Sequence, residues 1–121
     1  HGIGNADGQD ETVVVPDMAA RKSKMIERSG GFIVLPGGMG TLDELFDTLV
    51  NKQLGRHAKP IVLMNTDGYY NPLISLLKHG IECRTIRAEH MSLFSVANTP
   101  EEAIRLLAES KVDEKSLKMR G

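Results

Sequence analysis

The stretch LPGGMGTLDE, residues 35–44, groups glycines, a threonine and acidic residues directly after an apolar run. Successive glycines let backbone N–H groups converge on an anion without side chains in the way. A helix that begins after them adds unpaired N–H groups and the positive end of its dipole. The spacing therefore indicates a phosphate-binding loop, with the carboxylate of Glu44 one helical turn behind it. The residues of this loop are Gly37, Gly38, Met39, Gly40 and Thr41.

Plain helix capping is the alternative interpretation of the same stretch. Thr41 and Glu44 have the T-x-x-E spacing of a capping box, which helices use without any ligand. Thr99 and Glu102 share this spacing, and there we expect only capping. A cap needs no glycine, so the glycines before Thr41 favour anion binding. The G-x-G-x-x-G fingerprint and the G-K-[ST] ending of a P-loop are both absent, so neither NAD nor ATP is indicated.

The other reactive side chains form no recognisable site in the sequence. The four histidines lack the spacing of metal ligands, and Cys83 has no local base as a partner. We therefore expect neither a metal nor a cofactor. Taken alone, the basic residues Arg21, Lys22, Lys24 and Arg28 are typical of a solvated helix face.

Short apolar runs alternate with amphipathic stretches along the chain. The strands are predicted at 12–15, 32–36, 60–64 and 92–97. The helices are predicted at 18–29, 41–55, 72–80 and 101–110. This alternation is typical of an α/β fold, with a parallel sheet covered by helices on both faces. Ligands bind such sheets at the carboxyl ends of the strands, where the glycine loop lies.

The length and charge bound the class of protein. The 121 residues predict a single domain, with a loop at 1–11 and a charged, frayed tail at 111–121. A net charge of −1 gives no sign of a protein that binds nucleic acids or membrane surfaces. The single cysteine fits a reducing compartment, so we expect a cytoplasmic protein. The chain opens without Met on a polar stretch, and we expect it to belong to something longer.

Two motifs resemble those of one family. PGGMGTLDE at 36–44 is similar to P-G-G-x-G-T-x-x-E, the hallmark of the LONELY GUY family of cytokinin-activating phosphoribohydrolases. MAARK at 18–22 resembles the M-x-x-R-K stretch of the family, although Ala19 stands where members often have His. Weaker similarity is found in QLG at 53–55, KPIVLMN at 59–65, DGYYNPL at 67–73 and TPEEAI at 99–104. The first strands of the family and its second glycine-rich loop have no counterpart, so the chain resembles the C-terminal two-thirds or so.

The resemblance implies a Rossmann-like fold and hydrolysis of the N-glycosidic bond of a nucleoside 5′-monophosphate. The substrate would be AMP or an N6-modified relative, such as a cytokinin ribotide. The resemblance also implies that Arg21 and Glu44 are catalytic, that Lys22 assists the glycine loop in binding the nucleotide, and that the protein is a homodimer with a shared active site. The label "lysine decarboxylase" that some relatives carry is not supported, because that chemistry normally needs a Schiff-base lysine in a pyridoxal phosphate site.

Two other hypotheses remain open at this point. The chain could be a nucleotide-binding or sensing module without catalysis, or a fragment without independent activity. Glu44 favours the enzyme, because an acid beside a phosphate repels the ligand and a pure binder gains little from it.

Overall fold

The computed structural model of the protein describes residues 24–120, with side chains up to residue 110. The strands of this part are β1 (Met25–Arg28), β2 (Gly31–Val34), β3 (Ile61–Met64) and β4 (Ser95–Ala97). The α-helices are α1 (Met39–Gln53), α2 (Asn71–Glu82) and α3 (Pro100–Arg120). Two 3-10 helices, Thr66–Gly68 and Ala88–Leu93, lie in the segments before α2 and before β4.

The strands form one sheet in the order β1-β2-β3-β4. β3 runs parallel to both β2 and β4, with Val34 opposite Leu63 and Leu63 opposite Val96. The carboxyl ends of these three strands therefore lie at the same edge of the sheet. This arrangement confirms the predicted α/β fold, which is consistent with a Rossmann-like sheet.

Apolar side chains fill both faces of the sheet, because alternate residues of a strand point to opposite sides. One cluster packs the sheet against α3 and comprises Ile33, Val62, Met64, Ala97, Ala103 and Leu107. The other cluster includes side chains of α1 and of the loop before α2, and comprises Val34, Leu45, Leu49, Ile61, Leu63 and Tyr70. Burial on both sides explains why β2 and β3 are continuous apolar runs in the sequence.

The helix predicted at 18–29 is wrong in the part that the structure describes. Met25–Arg28 is instead a strand, β1, which pairs antiparallel with β2. Ser29 and Gly30 form the two-residue turn between them, with φ angles of 54° and 81°. Positive φ at both central residues is the conformation of a type I′ hairpin turn, which matches the twist of the flanking strands. The pairing with β2 thus overrides the local helical pattern, and the Ser-Gly dipeptide was the signal of the turn.

The remaining described elements follow the predictions with shifted ends. The strands predicted at 32–36 and 60–64 are β2 and β3, and the helix predicted at 41–55 is α1. The strand predicted at 92–97 is only three residues long, because residues up to Leu93 belong to a 3-10 helix. α3 continues through the predicted tail to Arg120. The strand predicted at 12–15 lies outside the described residues, and no helix from residue 24 onwards is long and apolar enough to cross a membrane.

A substitution at Gly31 tests how tightly β2 packs against α3. A Cβ at this position would lie 2.6 Å from Cδ2 of Leu107, 2.8 Å from Cγ of Pro60 and 3.0 Å from the carbonyl oxygen of Pro60. We expect Gly31→Ala to lower the free energy of unfolding by roughly 1–3 kcal/mol through overpacking, as measured by chemical denaturation.

Gly40→Ala is the matched control for this change. The equivalent Cβ at Gly40, in α1, has no atom of the described residues within 4 Å. Alanine also favours a helix more than glycine, so this variant should be as stable as the parent or more stable. Equal stability of the Gly31→Ala variant and the parent would contradict the tight packing.

Candidate functional site

The glycine loop connects β2 to α1 and lies at the carboxyl edge of the sheet, as predicted. α1 begins at Met39, with Gly38 as its N-cap residue, and no side chain of the described residues caps it. Thr41 is the third residue of the helix and is buried, with 5% of its surface exposed. The alternative capping box of Thr41 and Glu44 is therefore not formed.

The second T-x-x-E sequence does form the expected cap. The backbone N–H of Glu102 donates to Oγ1 of Thr99 at 3.1 Å. The carboxylate of Glu102 accepts a hydrogen bond from the N–H of Asn98 at 2.8 Å. The same spacing thus gives a capped helix at α3 and an N-terminus without a side-chain cap at α1. The first N–H groups of α1 have no acceptor within their own helix and can serve a ligand.

The three glycines of the loop have different surroundings. A Cβ at Gly37 would lie 2.3 Å from Oγ1 of Thr41 and 2.8 Å from its Cβ, so the fold itself requires glycine there. At Gly38 and Gly40 a Cβ would meet no atom of the described residues within 4 Å. Packing in this part of the chain does not require glycine at these two positions. Their lack of side chains instead leaves the backbone open to an approaching ligand.

Glu44 lies in the second turn of α1, close in sequence to the glycines of the loop. It follows Gly40 by four residues and Thr41 by three, and both spacings place side chains on one face of a helix. A helical side chain leans towards the N-terminus, so that of Glu44 leans towards Gly40. Glu44 is half-buried, and its backbone carbonyl accepts a hydrogen bond from the hydroxyl of Thr48 at 2.8 Å. The helix therefore places Glu44 one turn after the first residues of α1.

Two adjacent tyrosines of the β3–α2 loop form hydrogen bonds with the segment that leads from β2 into α1, and no pattern in the sequence predicted this role. The hydroxyl of Tyr70 donates to the carbonyl oxygen of Leu35 at 2.7 Å. The hydroxyl of Tyr69 donates to the carbonyl oxygen of Gly37. The two rings pack edge to face, with centroids 5.0 Å apart and an angle of 85° between their planes. We call these two residues the tyrosine pair.

Asn65 fixes the shape of the loop that carries the tyrosine pair. Its backbone N–H donates to the carbonyl oxygen of Ala97 in β4 at 2.8 Å. Its side-chain oxygen accepts from the N–H of Tyr70 at 2.6 Å, and its amide nitrogen donates to Oδ1 of Asn71 at 2.9 Å. The loop can turn this tightly because Asp67 and Gly68 have φ angles of 54° and 71°.

The basic residues predicted for the site, Arg21 and Lys22, lie outside the described residues. Lys24 is described, and its carbonyl oxygen accepts a hydrogen bond from the N–H of Leu35 at 2.8 Å. β1 therefore begins beside the glycine loop. Among residues 24–120, no three His, Cys, Asp or Glu side chains are grouped as metal ligands would be.

Comparison with known proteins decides the family. Residues 4–107 match the family model described as "Possible lysine decarboxylase". Curated relatives that match the chain are named for phosphoribohydrolase activity. The chain belongs to the LONELY GUY family. The resemblance inferred from the motifs at 18–22 and 36–44 is thereby confirmed.

The LONELY GUY relatives include two rice proteins and one from Arabidopsis thaliana. Two proteins of Oryza sativa subsp. japonica, each named a probable cytokinin riboside 5′-monophosphate phosphoribohydrolase, are 46% identical over 99 residues and 44% identical over 100 residues. These matches cover 82% and 83% of this chain, and 41% and 44% of the relatives. The Arabidopsis protein, a cytokinin riboside 5′-monophosphate phosphoribohydrolase, is 41% identical over 99 residues, which are 82% of this chain and 46% of that protein. The chain thus spans less than half of the length of these relatives.

Tyr70 provides a test of the contact between the two loops in this LONELY GUY chain. Burial, reinforced by the neighbouring Tyr69, raises the pKa of Tyr70 from 10.0 to about 12. Because the folded state disfavours the phenolate, the stabilisation is complete below about pH 10 and is lost as the pH rises through about 12. We expect a component of the phenolate absorbance with a midpoint near pH 12, which Tyr70→Phe removes.

The stability of the same variant provides the second measurement. The parent should lose stability through this alkaline window more steeply than Tyr70→Phe, because the variant has no phenol to ionise there. A Tyr70 component that titrates at 10.0 would contradict its burial against the glycine loop.

Proposed function

We propose that this protein hydrolyses the N-glycosidic bond of a nucleoside 5′-monophosphate. Water adds across the bond between C1′ and the base, so that C1′ gains a hydroxyl, the base gains a proton, and ribose 5-phosphate is released. The substrate is AMP or an N6-modified adenosine monophosphate such as a cytokinin ribotide. The supporting observation is the open N-terminus of α1, which no described side chain caps and which has Glu44 one turn behind it. The names of the LONELY GUY relatives state the same activity for those proteins.

The glycine loop binds the 5′-phosphate in this proposal. The N–H groups at the start of α1 donate to the phosphate oxygens, and the helix dipole favours the negative charge. Gly38 and Gly40 expose the backbone for this contact, Met39 is 82% exposed beside it, and Gly37 packs on Thr41 beneath it. The hydroxyl of Thr41 is a further donor to the same phosphate.

Glu44 acts on the sugar. It follows Thr41 by three residues, which places it about 4.5 Å further along the helix axis, and a ribose joined to the bound phosphate would reach it. Cleavage of a glycosidic bond passes through a state with positive charge on C1′ and the ring oxygen, which a nearby carboxylate stabilises. Glu44 therefore binds the ribose and serves either as nucleophile or as electrostatic partner. No cofactor is needed for this chemistry.

Arg21 and Lys22 complete the proposed site. Arg21 forms paired hydrogen bonds to the phosphate or to acceptors on the departing base, and Lys22 contributes positive charge for the nucleotide. The position of Lys24 supports this assignment, because its carbonyl bonds Leu35 at the start of the glycine loop.

A nucleotide-binding module without catalysis is the second candidate function. The open loop and the helix N-terminus support binding equally well in both cases. The carboxylate of Glu44 favours the enzyme, because it repels a bound phosphate and benefits only a cation-like transition state.

The reducing environment suggested by the single cysteine, Cys83, favours a cytoplasmic location.

We further propose that the protein is a homodimer. Several apolar side chains are exposed along α1, and they follow one another at spacings of seven, four and four residues. They are separate from Leu45 and Leu49, which the same helix buries in the core. This dimer face comprises Met39 (82% exposed), Phe46 (39%), Val50 (47%) and Leu54 (56%). Because it begins at the glycine loop, a second copy packed on it would lie next to the active site and could share it.

Glu44→Gln tests the proposed reaction. We expect the parent to release adenine from AMP, and the variant to release it about 100-fold more slowly or not at all, because the amide cannot stabilise the developing charge. Free base is measured by chromatography, with isopentenyl-adenosine monophosphate as a second substrate. Asp43→Asn is the matched control, since it removes the neighbouring charge from an exposed side chain and should retain activity.

The outcomes separate the candidate functions. Release of base that survives in Glu44→Gln would contradict the role of Glu44. AMP that binds to the parent and is not cleaved would support the binding module. Absence of both binding and cleavage would contradict the proposed function of this chain.

Val50→Glu tests the dimer. A charge in the centre of a buried apolar interface is costly to desolvate, so this variant should sediment as a monomer whereas the parent sediments as a dimer. Leu76→Glu is the control, because Leu76 is also exposed, at 61%, but lies on α2 and not on the dimer face. Equal sedimentation of the parent and Val50→Glu would contradict an interface at this position.

A further inference from the structure

The peptide between Gly37 and Gly38 joins the only two adjacent glycines of the glycine loop. Glycine has no Cβ to limit its backbone dihedrals, so a peptide between two glycines can turn over with little resistance. One contact opposes this rotation, since Tyr69 donates its hydroxyl hydrogen to the carbonyl oxygen of Gly37. The contact joins two loops that are separated by 32 residues in the sequence.

Holding this carbonyl also sets the direction of the next N–H group. In a trans peptide the C=O and the following N–H point in opposite directions, and the described residues contain no cis peptide. When the oxygen of Gly37 points to Tyr69, the N–H of Gly38 points away from Tyr69. Gly38 is the N-cap residue of α1, and a Cβ there would meet no described atom within 4 Å. Its N–H is therefore available to an anion at the start of the helix.

We propose that Tyr69 is a positioning residue of the phosphate site, which keeps the N–H of Gly38 directed towards the phosphate and the carbonyl of Gly37 directed away from it. This inference rests on the proposed function. Without the hydroxyl, the peptide can rotate so that the carbonyl oxygen of Gly37 points towards the phosphate. The N–H of Gly38 is then lost as a donor, and the partial negative charge of the oxygen repels the phosphate.

The surroundings of Tyr69 suit this role although the side chain is 46% exposed. Its ring packs against the ring of Tyr70, which is 1% exposed and bonds the carbonyl of Leu35. The side-chain oxygen of Asn65 accepts a hydrogen bond from the backbone N–H of Tyr70, which fixes the chain directly before α2. The ring of Tyr69 is thus held in place by its neighbours. Its hydroxyl group sets whether the N–H of Gly38 or the carbonyl of Gly37 points towards the ligand.

Tyr69→Phe removes that hydroxyl and keeps the ring. Calorimetric titration with AMP should give a dissociation constant about tenfold higher than that of the parent, since a hydrogen bond to a charged group is lost. Titration with adenosine, which has no phosphate, should give the same affinity for both proteins. The N–H of Gly38 should become more mobile in the variant, as measured by nuclear magnetic resonance relaxation without ligand.

Ser92→Ala is the matched control. It also removes an exposed hydroxyl that donates to a backbone carbonyl, that of Glu89 at 2.7 Å, and it lies outside the site. This variant should leave both affinities and the mobility of the Gly38 N–H unchanged. A general loss of stability in Tyr69→Phe would weaken AMP and adenosine binding alike, so the difference between the two ligands isolates positioning.

The results can overturn the inference independently of the proposed function. An AMP affinity of Tyr69→Phe within twofold of the parent would overturn it, as would equal losses for AMP and adenosine. If the parent does not bind AMP, the proposed function fails. In that case the mobility of the Gly38 N–H still decides whether Tyr69 holds the peptide, and unchanged mobility would overturn that part too.

Discussion

The parallel pairing of β2 with β3 and of β3 with β4 is the constraint on which the rest of the structure depends. Parallel strands need crossover connections, and these place α1 and α2 on one face of the sheet. α3 follows β4 and packs on the other face. The same pairing starts three loops at one edge: the glycine loop, the loop of Asn65 and the turn before α3. The hydrogen bond from Asn65 to Ala97 joins the second and third of these loops, and the tyrosine pair joins the first and second.

The two T-x-x-E sequences show how context decides the use of one local pattern. At α3 the side chains of Thr99 and Glu102 satisfy backbone N–H groups, and that end of the helix is complete. At α1 the helix starts two residues earlier than Thr41, so the threonine is buried in the first turn and Glu44 lies on the following one. An identical spacing thus caps the helix at α3 and leaves the N-terminus of α1 without a side-chain cap from the described residues.

Much of the fold and part of the site could be predicted from the sequence, because both depend on local patterns. Apolar runs gave β2 and β3, helical spacing gave α1, and glycines at the end of a strand gave the loop. β1 was missed because a Ser-Gly turn and pairing with β2 outweigh the helical pattern of that segment. Tyr69 and Tyr70 were missed because their partners are backbone carbonyls 32 and 35 residues away. No local pattern encodes such contacts.

The hydrogen bonds of Asn65 have a consequence for the thermodynamics of binding. Because they order the loop whose tyrosine pair contacts the glycine loop, the phosphate site proposed above is preorganised, and a ligand does not have to supply the entropy cost of ordering it. That cost is part of the folding free energy of the chain instead. In the proposed function, affinity for the phosphate is therefore coupled to stability at a buried amide. A protein whose loop is less ordered at Asn65 would bind the nucleotide more weakly although every group of the proposed phosphate site is intact.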